Sequence, residues 1–158
     1  MDNKMKFRWF ALLLLLLSPL GAADIQIYKS QKEGTEYVSY QIGKSKLNES
    51  DFRILKIIAE LQTFTDGLVH PFIGDIYYFA IFQDGQQVGK VIQFAYVEGK
   101  RSGSIYLHER KATEKLLMAE KEDSTTYIPL YSKEVGDILT KHLKVAGIVK
   151  TEESIQAE

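Results

Sequence analysis

The clearest pattern in the chain lies between residues 75 and 108, DIYYFAIFQDGQQVGKVIQFAYVEGKRSGSIYLH. Apolar and polar positions alternate there with the period of a strand. Asp84-Gly85 is a preferred pair for a two-residue hairpin turn. Gly99 to Gly103 marks a looser connection. Three consecutive antiparallel strands are predicted. Counting back from Asp84-Gly85 pairs Ile81 with Val88, Phe79 with Lys90 and Tyr77 with Ile92, on one face with Phe94 and Tyr96. The other face carries Ile76, Tyr78, Ala80 and Phe82 against Gln93, Val91, Gly89 and Gln87. The first face is the more apolar and is expected to receive a helix. Pairing Val97 with Ser104 adds Ile105 and Leu107 to that core face. It puts Tyr106 and His108 on the second face, with His108 beside Gln93. A one-residue slip would exchange the two faces.

The flanking segments complete the expected fold. Residues 25–31 and 35–43 read as a first hairpin turning at Lys32-Glu33-Gly34, with Val38, Tyr40 and Ile42 opposed to a wet face at Ser39 and Gln41. Residues 48–64 read as a helix. Asn48 is the N-cap, acidic residues fill the first turn, and Ile54, Ile57, Ile58 and Leu61 recur at helical spacing. Residues 110–122 are rich in helix formers, with Ala112, Leu116 and Ala119 on one side. A helix is expected there over a competing hairpin in 113–131 that turns around Asp123-Ser124. Residues 125–131 read as an edge strand, because Pro129 cannot sit in a central ladder. Ser132 caps a last helix over 133–145 with an apolar stripe at Val135, Ile138, Leu139 and His142/Leu143. Gly147 stops it.

The order is β-β-α-β-β-β followed by helices. This is an α+β class, with a largely antiparallel sheet of about five or six strands and one long helix on one face. In element order it is similar to profilin-like and longin-like domains and to sensor domains of the PAS type. That likeness implies a fold class and no activity.

The first 23 residues follow a different grammar. Lys4, Lys6 and Arg8 precede an apolar run from Trp9 to Leu17, Pro19 breaks it, and Gly21-Ala22-Ala23 offers small residues for a cut after Ala23. This is the form of a secretory signal peptide. The run is shorter than the roughly 20 apolar residues of a membrane span. Residues 1–23 are therefore expected to be a leader, 24–149 one globular domain, and 150–158 a frayed charged tail. The only membrane contact expected is through the transient leader. Loss of the leader removes three basic and one acidic residue from totals of 20 and 21, leaving a net charge of −3. A mildly acidic chain lacks the basic stripe of a nucleic-acid binder. With no cysteine, disulfides, thiolate metal sites and a cysteine nucleophile are excluded.

Candidate chemistry is sparse. The three histidines are His70, His108 and His142, and none belongs to an HxH, HxxxH or HExxH array. His142 reads as a helix residue complementing the dipole. His70, with Asp66 and Asp75 near it in sequence, and His108-Glu109 form the basis of an alternative reading as a small histidine/carboxylate-dependent hydrolase or metal-dependent enzyme. No phosphate-binding glycine loop and no GxSxG elbow occurs, so no catalytic residue, metal ligand or cofactor is assigned. The second sheet face is the anomaly. Tyr78, Phe82, Gln87, Gln93, Tyr106 and His108 are too apolar for a wet face and too polar for a deep core. A second helix over it is one reading. A binding face for a protein partner or small ligand is the other. The expected function is an exported, non-enzymatic binding protein of the bacterial periplasm or extracellular space. A structural or assembly component of the cell envelope, pairing through 125–131, is a further alternative.

Overall fold

The computed structural model describes residues 21–62, 74–98, 105–118 and 132–151. Two long strands open the fold, β1 (Ala23–Glu33) and β2 (Glu36–Lys46), turning at Gly34 with φ +61°. Helix α1 (Glu49–Ala59) follows, then β3 (Asp75–Gln83), β4 (Gln86–Tyr96) and β5 (Ile105–His108). A short hairpin, β6 (Arg110–Ala112) and β7 (Leu116–Met118), comes next, and helix α2 (Lys133–Val145) is last. The main sheet is antiparallel, in the order β2-β1-β3-β4-β5. This is the expected α+β class. The sheet takes up the chain at Ala23, one residue before the expected start of the mature domain.

Both helices lie on the first face. Ile25, Ile27, Phe79, Ile81, Ile92, Ile105 and Leu107 are almost fully buried there, against Phe52 and Leu55 of α1 and Leu139 and Leu143 of α2. Each such side chain contributes about 1.5–3 kcal/mol of burial, so this layer dominates the stability. Asn48 Oδ1 accepts the Asp51 N–H at 2.8 Å, which starts α1 where the sequence placed its cap. The buried stripe is rotated from the expected one. Asp51, Phe52, Leu55 and Ala59 face the sheet, and Ile57 is 64% exposed. Helical spacing alone fits two neighbouring stripes; contact between Ala59 and β4 selects one of them. The helix also ends at Ala59, short of the expected end near residue 64.

The β3–β4 register holds at the turn and shifts beyond it. Ile81 pairs with Val88 as expected, but Phe79 pairs with Ile92 and Tyr77 with Phe94. Ala80 on β3 thus stands opposite Gly89, Lys90 and Val91 on β4. Gly89 adopts φ +65°. Lys90, expected on the core face, reaches the end of α1 and donates to the Leu61 carbonyl at 2.9 Å. The shift is two residues, so every side chain from Val91 onward keeps its expected face. The β4–β5 register is displaced in the same way, with His108 opposite Val91 and Tyr106 opposite Gln93. On β2 the irregularity is a single residue. Ile27 pairs with Gly43 and Tyr28 with Gln41, which leaves Ile42 unpaired. Ser39, expected to be wet, is buried and shares a 2.7 Å hydrogen bond with Ser30.

The expected helix over 110–122 is corrected. Residues 110–118 form the β6–β7 hairpin instead. Ala112 and Leu116 are four apart, so they suit one side of a helix. In the hairpin the same two residues are direct cross-strand partners. Both arrangements place them side by side, and sequence spacing cannot separate them. The edge strand expected over 125–131 lies outside the described residues.

Two glycines give a test of the bulge. A Cβ on Gly89 would stand 2.6 Å from the Ala59 carbonyl oxygen, whereas a Cβ on Gly85, at φ +76°, meets nothing. Gly85→Ala is expected to cost about 1–2 kcal/mol, the price of a left-handed backbone. Gly89→Ala is expected to cost at least about 1 kcal/mol more, because backbone must move as well. Urea unfolding of the two variants measures the difference, and equal losses would contradict the close approach of α1 to β4.

Candidate functional site

The second face is built on a row of side chains that crosses four strands. Tyr28 of β1 pairs with Tyr78 of β3, Tyr78 with Gln93 of β4, and Gln93 with Tyr106 of β5. The next positions toward the β3–β4 turn carry Ala80, Val91 and His108, and Phe82 follows beside Gln87. The alternation of the strands therefore brings all six expected site residues to one face.

The β6–β7 hairpin folds back over part of that face. Ala112 and Leu116 pack on Tyr28, Ala80 and Val91. Gln87 fastens the start of the hairpin. Its Nε2 donates to the Arg110 carbonyl and its Oε1 accepts the Ala112 N–H, each at 2.8 Å. At the far end, the Tyr28 hydroxyl donates to the Thr113 carbonyl at 2.6 Å, and the Gln41 N–H donates to the Glu114 carbonyl at 3.2 Å. Lys115 lies over the Tyr40 ring, 5.0 Å from its centroid. The hairpin thus runs as a strap from β5 across to β2. Tyr28 is sealed beneath it, and burial pushes its phenol up to about 12.

The six residues divide under this strap. Gln93, Tyr106 and His108 are buried, at 4%, 1% and 4% exposure. Tyr78, Phe82 and Gln87 remain half-buried. The His108 Nε2–H donates to Gln93 Oε1, and its ring lies 6.0 Å from that of Tyr78. Burial, with the Arg110 charge as a smaller cause, pulls the imidazole down to about 4. His108 is neutral at pH 7 and acts as a fixed hydrogen-bonding member of the face. Gln87 is equally committed, both ends of its amide being used to hold the hairpin.

Arg110 is the residue that the sequence reading missed. Its Cζ sits 4.9 Å from the Tyr78 ring centroid. Its Nε is shut from water and has no hydrogen-bond partner. A buried donor left unpaired costs about 1–3 kcal/mol, and more when it carries charge. The residue was obscured because a helix over 110–122 points it at solvent. Only the hairpin turns it over Tyr78.

A second polar cluster lies on the helix side. Ser45 Oγ is 2.9 Å from His142 Nδ1, and His142 Nε2 donates to Asp51 Oδ2 at 3.1 Å. Lys141 also pairs with Asp51. All three members of the Ser-His-Asp chain are buried, at 8%, 3% and 6% exposure. They come from β2, α2 and the first turn of α1, so the cluster ties the sheet edge to both helices. The expected role for His142, dipole complement at the end of α2, is therefore incomplete. Burial pulls its pKa down, against the opposing pull of Asp51. Beside this cluster a groove of about 520 Å³ opens between α1 and α2, lined by Ile54, Ile138, Ser50 and charged residues. Four of its five charged residues pair, Lys133 with Asp137 at 2.7 Å and Lys141 with Asp51. His70 lies outside the described residues. Among the described residues no group of three or more His, Asp or Glu side chains is arranged to hold a metal ion.

The buried histidines make stability depend on pH. Unfolded, His108 takes up a proton near 6.5; folded, it does so only near 4. Its contribution is intact above about pH 6.5 and is lost as the pH falls toward 4, by about 1.4 kcal/mol per unit. Urea unfolding at pH 7 and pH 4.5 is expected to show a loss of about 2–3 kcal/mol from this group. His108→Gln, which cannot titrate, is expected to reduce the difference by that amount; an unchanged difference would place His108 in contact with water. No family model, no curated protein and no solved structure matches the chain.

Proposed function

We propose that the chain is an exported, non-enzymatic binding protein that meets a protein partner of the cell envelope or extracellular space through the open margin of the second sheet face. Tyr78, Phe82 and Gln87 form the contact edge, and Gln93, Tyr106 and His108 form the rigid layer behind it. The observation that carries this reading is the partial cover: the hairpin seals one half of an aromatic face and leaves Tyr78 and Phe82 half-buried beside it. Half-exposed aromatics on a rigid sheet give large contact area at little cost in side-chain entropy. The leader grammar of residues 1–23 supports export. Burial of the described histidines weighs against a hydrolase built on them. His108 is hydrogen-bonded within the face, and His142 is closed off between Ser45 and Asp51.

The test is a double variant, Tyr78→Ala with Phe82→Ala, used as bait in envelope extract beside the unaltered protein. The expected result is loss of the captured partner, with an unchanged circular dichroism spectrum. Capture of the same partner by a fully folded variant would remove this face from the function.

A further inference from the structure

We propose that the Ala23–Asp24 bond is a processing site that folding closes, so that the leader of residues 1–23 is removed only from a chain whose first strand has not yet paired. The inference rests on the export reading above and adds the order in which cutting and folding occur. Leader removal is hydrolysis. The bond from the Ala23 carbonyl carbon to the Asp24 nitrogen breaks. Water gives its hydroxyl to that carbon, and the nitrogen takes the proton and becomes the new amino terminus. The attacked carbonyl is already committed in the fold: the Leu47 N–H donates to the Ala23 oxygen at 2.9 Å. Ala23 is 6% exposed. It pairs with Gln83, and Asp24 pairs with Phe82 on one side and Lys46 on the other. Because β1 lies between β2 and β3, neither edge is open here to a peptidase that takes its substrate as an added strand. The residues before the bond are held as well. The Asp84 N–H donates to the Ala22 carbonyl at 2.9 Å, and Gly21 lies so close to the Asp84 carboxylate that a Cβ would clash with it. Gly21 and Ala23, the small residues that mark the cut, are thus the ones enclosed by the sheet and the β3–β4 turn. A folded chain is cut only through its opened state, and here opening means withdrawing the start of an inner strand. A chain that folds first keeps its apolar leader. A chain cut first folds without the acceptors at Ala22 and Ala23.

The experiment is cell-free synthesis of the full chain with a bacterial leader peptidase in detergent micelles, read by intact mass and N-terminal sequencing. The peptidase is present from the start of synthesis in one arm and is added after folding in the other. A product beginning at Asp24 is expected in the first arm, and cutting at least about tenfold slower in the second. A flexible Gly-Ser insert between Ala23 and Asp24 carries the junction clear of the sheet. It should bring cutting of the folded chain back to the rate of the nascent one. Equal rates for the folded and the nascent unaltered chain would overturn the inference and leave the leader reading in place. No cutting between Ala23 and Asp24 in either arm would overturn both. An insert variant that is folded by circular dichroism and cut as slowly as the unaltered folded chain would also overturn the inference, because the sheet would then not be the cause of protection. The capture test with the Tyr78/Phe82 variant judges the binding face independently of all three.

Discussion

The two-residue bulge of β4 at Gly89 is the constraint on which both sheet faces depend. It places Ala80 opposite three residues, Gly89, Lys90 and Val91, and then returns the strand to phase. An even displacement preserves alternation, so Ile92 and Phe94 stay under the helices while Val91 and Gln93 stay on the second face. The left-handed backbone of Gly89 also lets the end of α1 come down onto the strand. That contact rotates the helix so that Phe52, Leu55 and Ala59 meet the sheet. Without the bulge, Lys90 would enter the core face in place of reaching the α1 terminus. The helix layer and the tyrosine row therefore have one common cause.

The other architectural element is the strap. A sheet with both helices on one side leaves its second side to be covered by something else. Here the chain turns at Glu109 and crosses that side as a hairpin. The hairpin is too short to be stable alone. It is held by an amide side chain at one end and a buried tyrosine hydroxyl at the other, and Ala112 and Leu116 lie on the sheet beneath it. Such a thin cover does two things. It covers Tyr28, Ala80 and Val91, and it turns Arg110 toward Tyr78.

What could be read from the sequence follows from how local each determinant is. The Asp84-Gly85 turn, the Asn48 and Ser132 caps and the period-two alternation are encoded within a few residues, so the five strands of the main sheet, both helices and the face of most sheet residues were legible; Ser39 and Lys90 were not. The bulge at Gly89 was not, because its cause is a helix carbonyl 30 residues away in sequence. Ile57 was misplaced in α1 for the same reason. The hairpin was hidden by a coincidence of spacing, since Ala112 and Leu116 lie side by side in either structure. Of the site, the six residues on the second face were legible from alternation alone. Arg110, the Ser45–His142–Asp51 chain and the division of the six into sealed and open sets required tertiary packing.

The identity of the cover is the centre of this account, and nuclear Overhauser contacts of Leu116 measure it directly. Contacts from the Leu116 methyls to the Tyr28 ring and the Val91 methyls, with a cross-strand contact from Ala112 to Leu116, are the expected result. Sequential helical contacts across residues 110–118, with none from Leu116 to the sheet, would contradict the strap and the placement of Arg110 that depends on it.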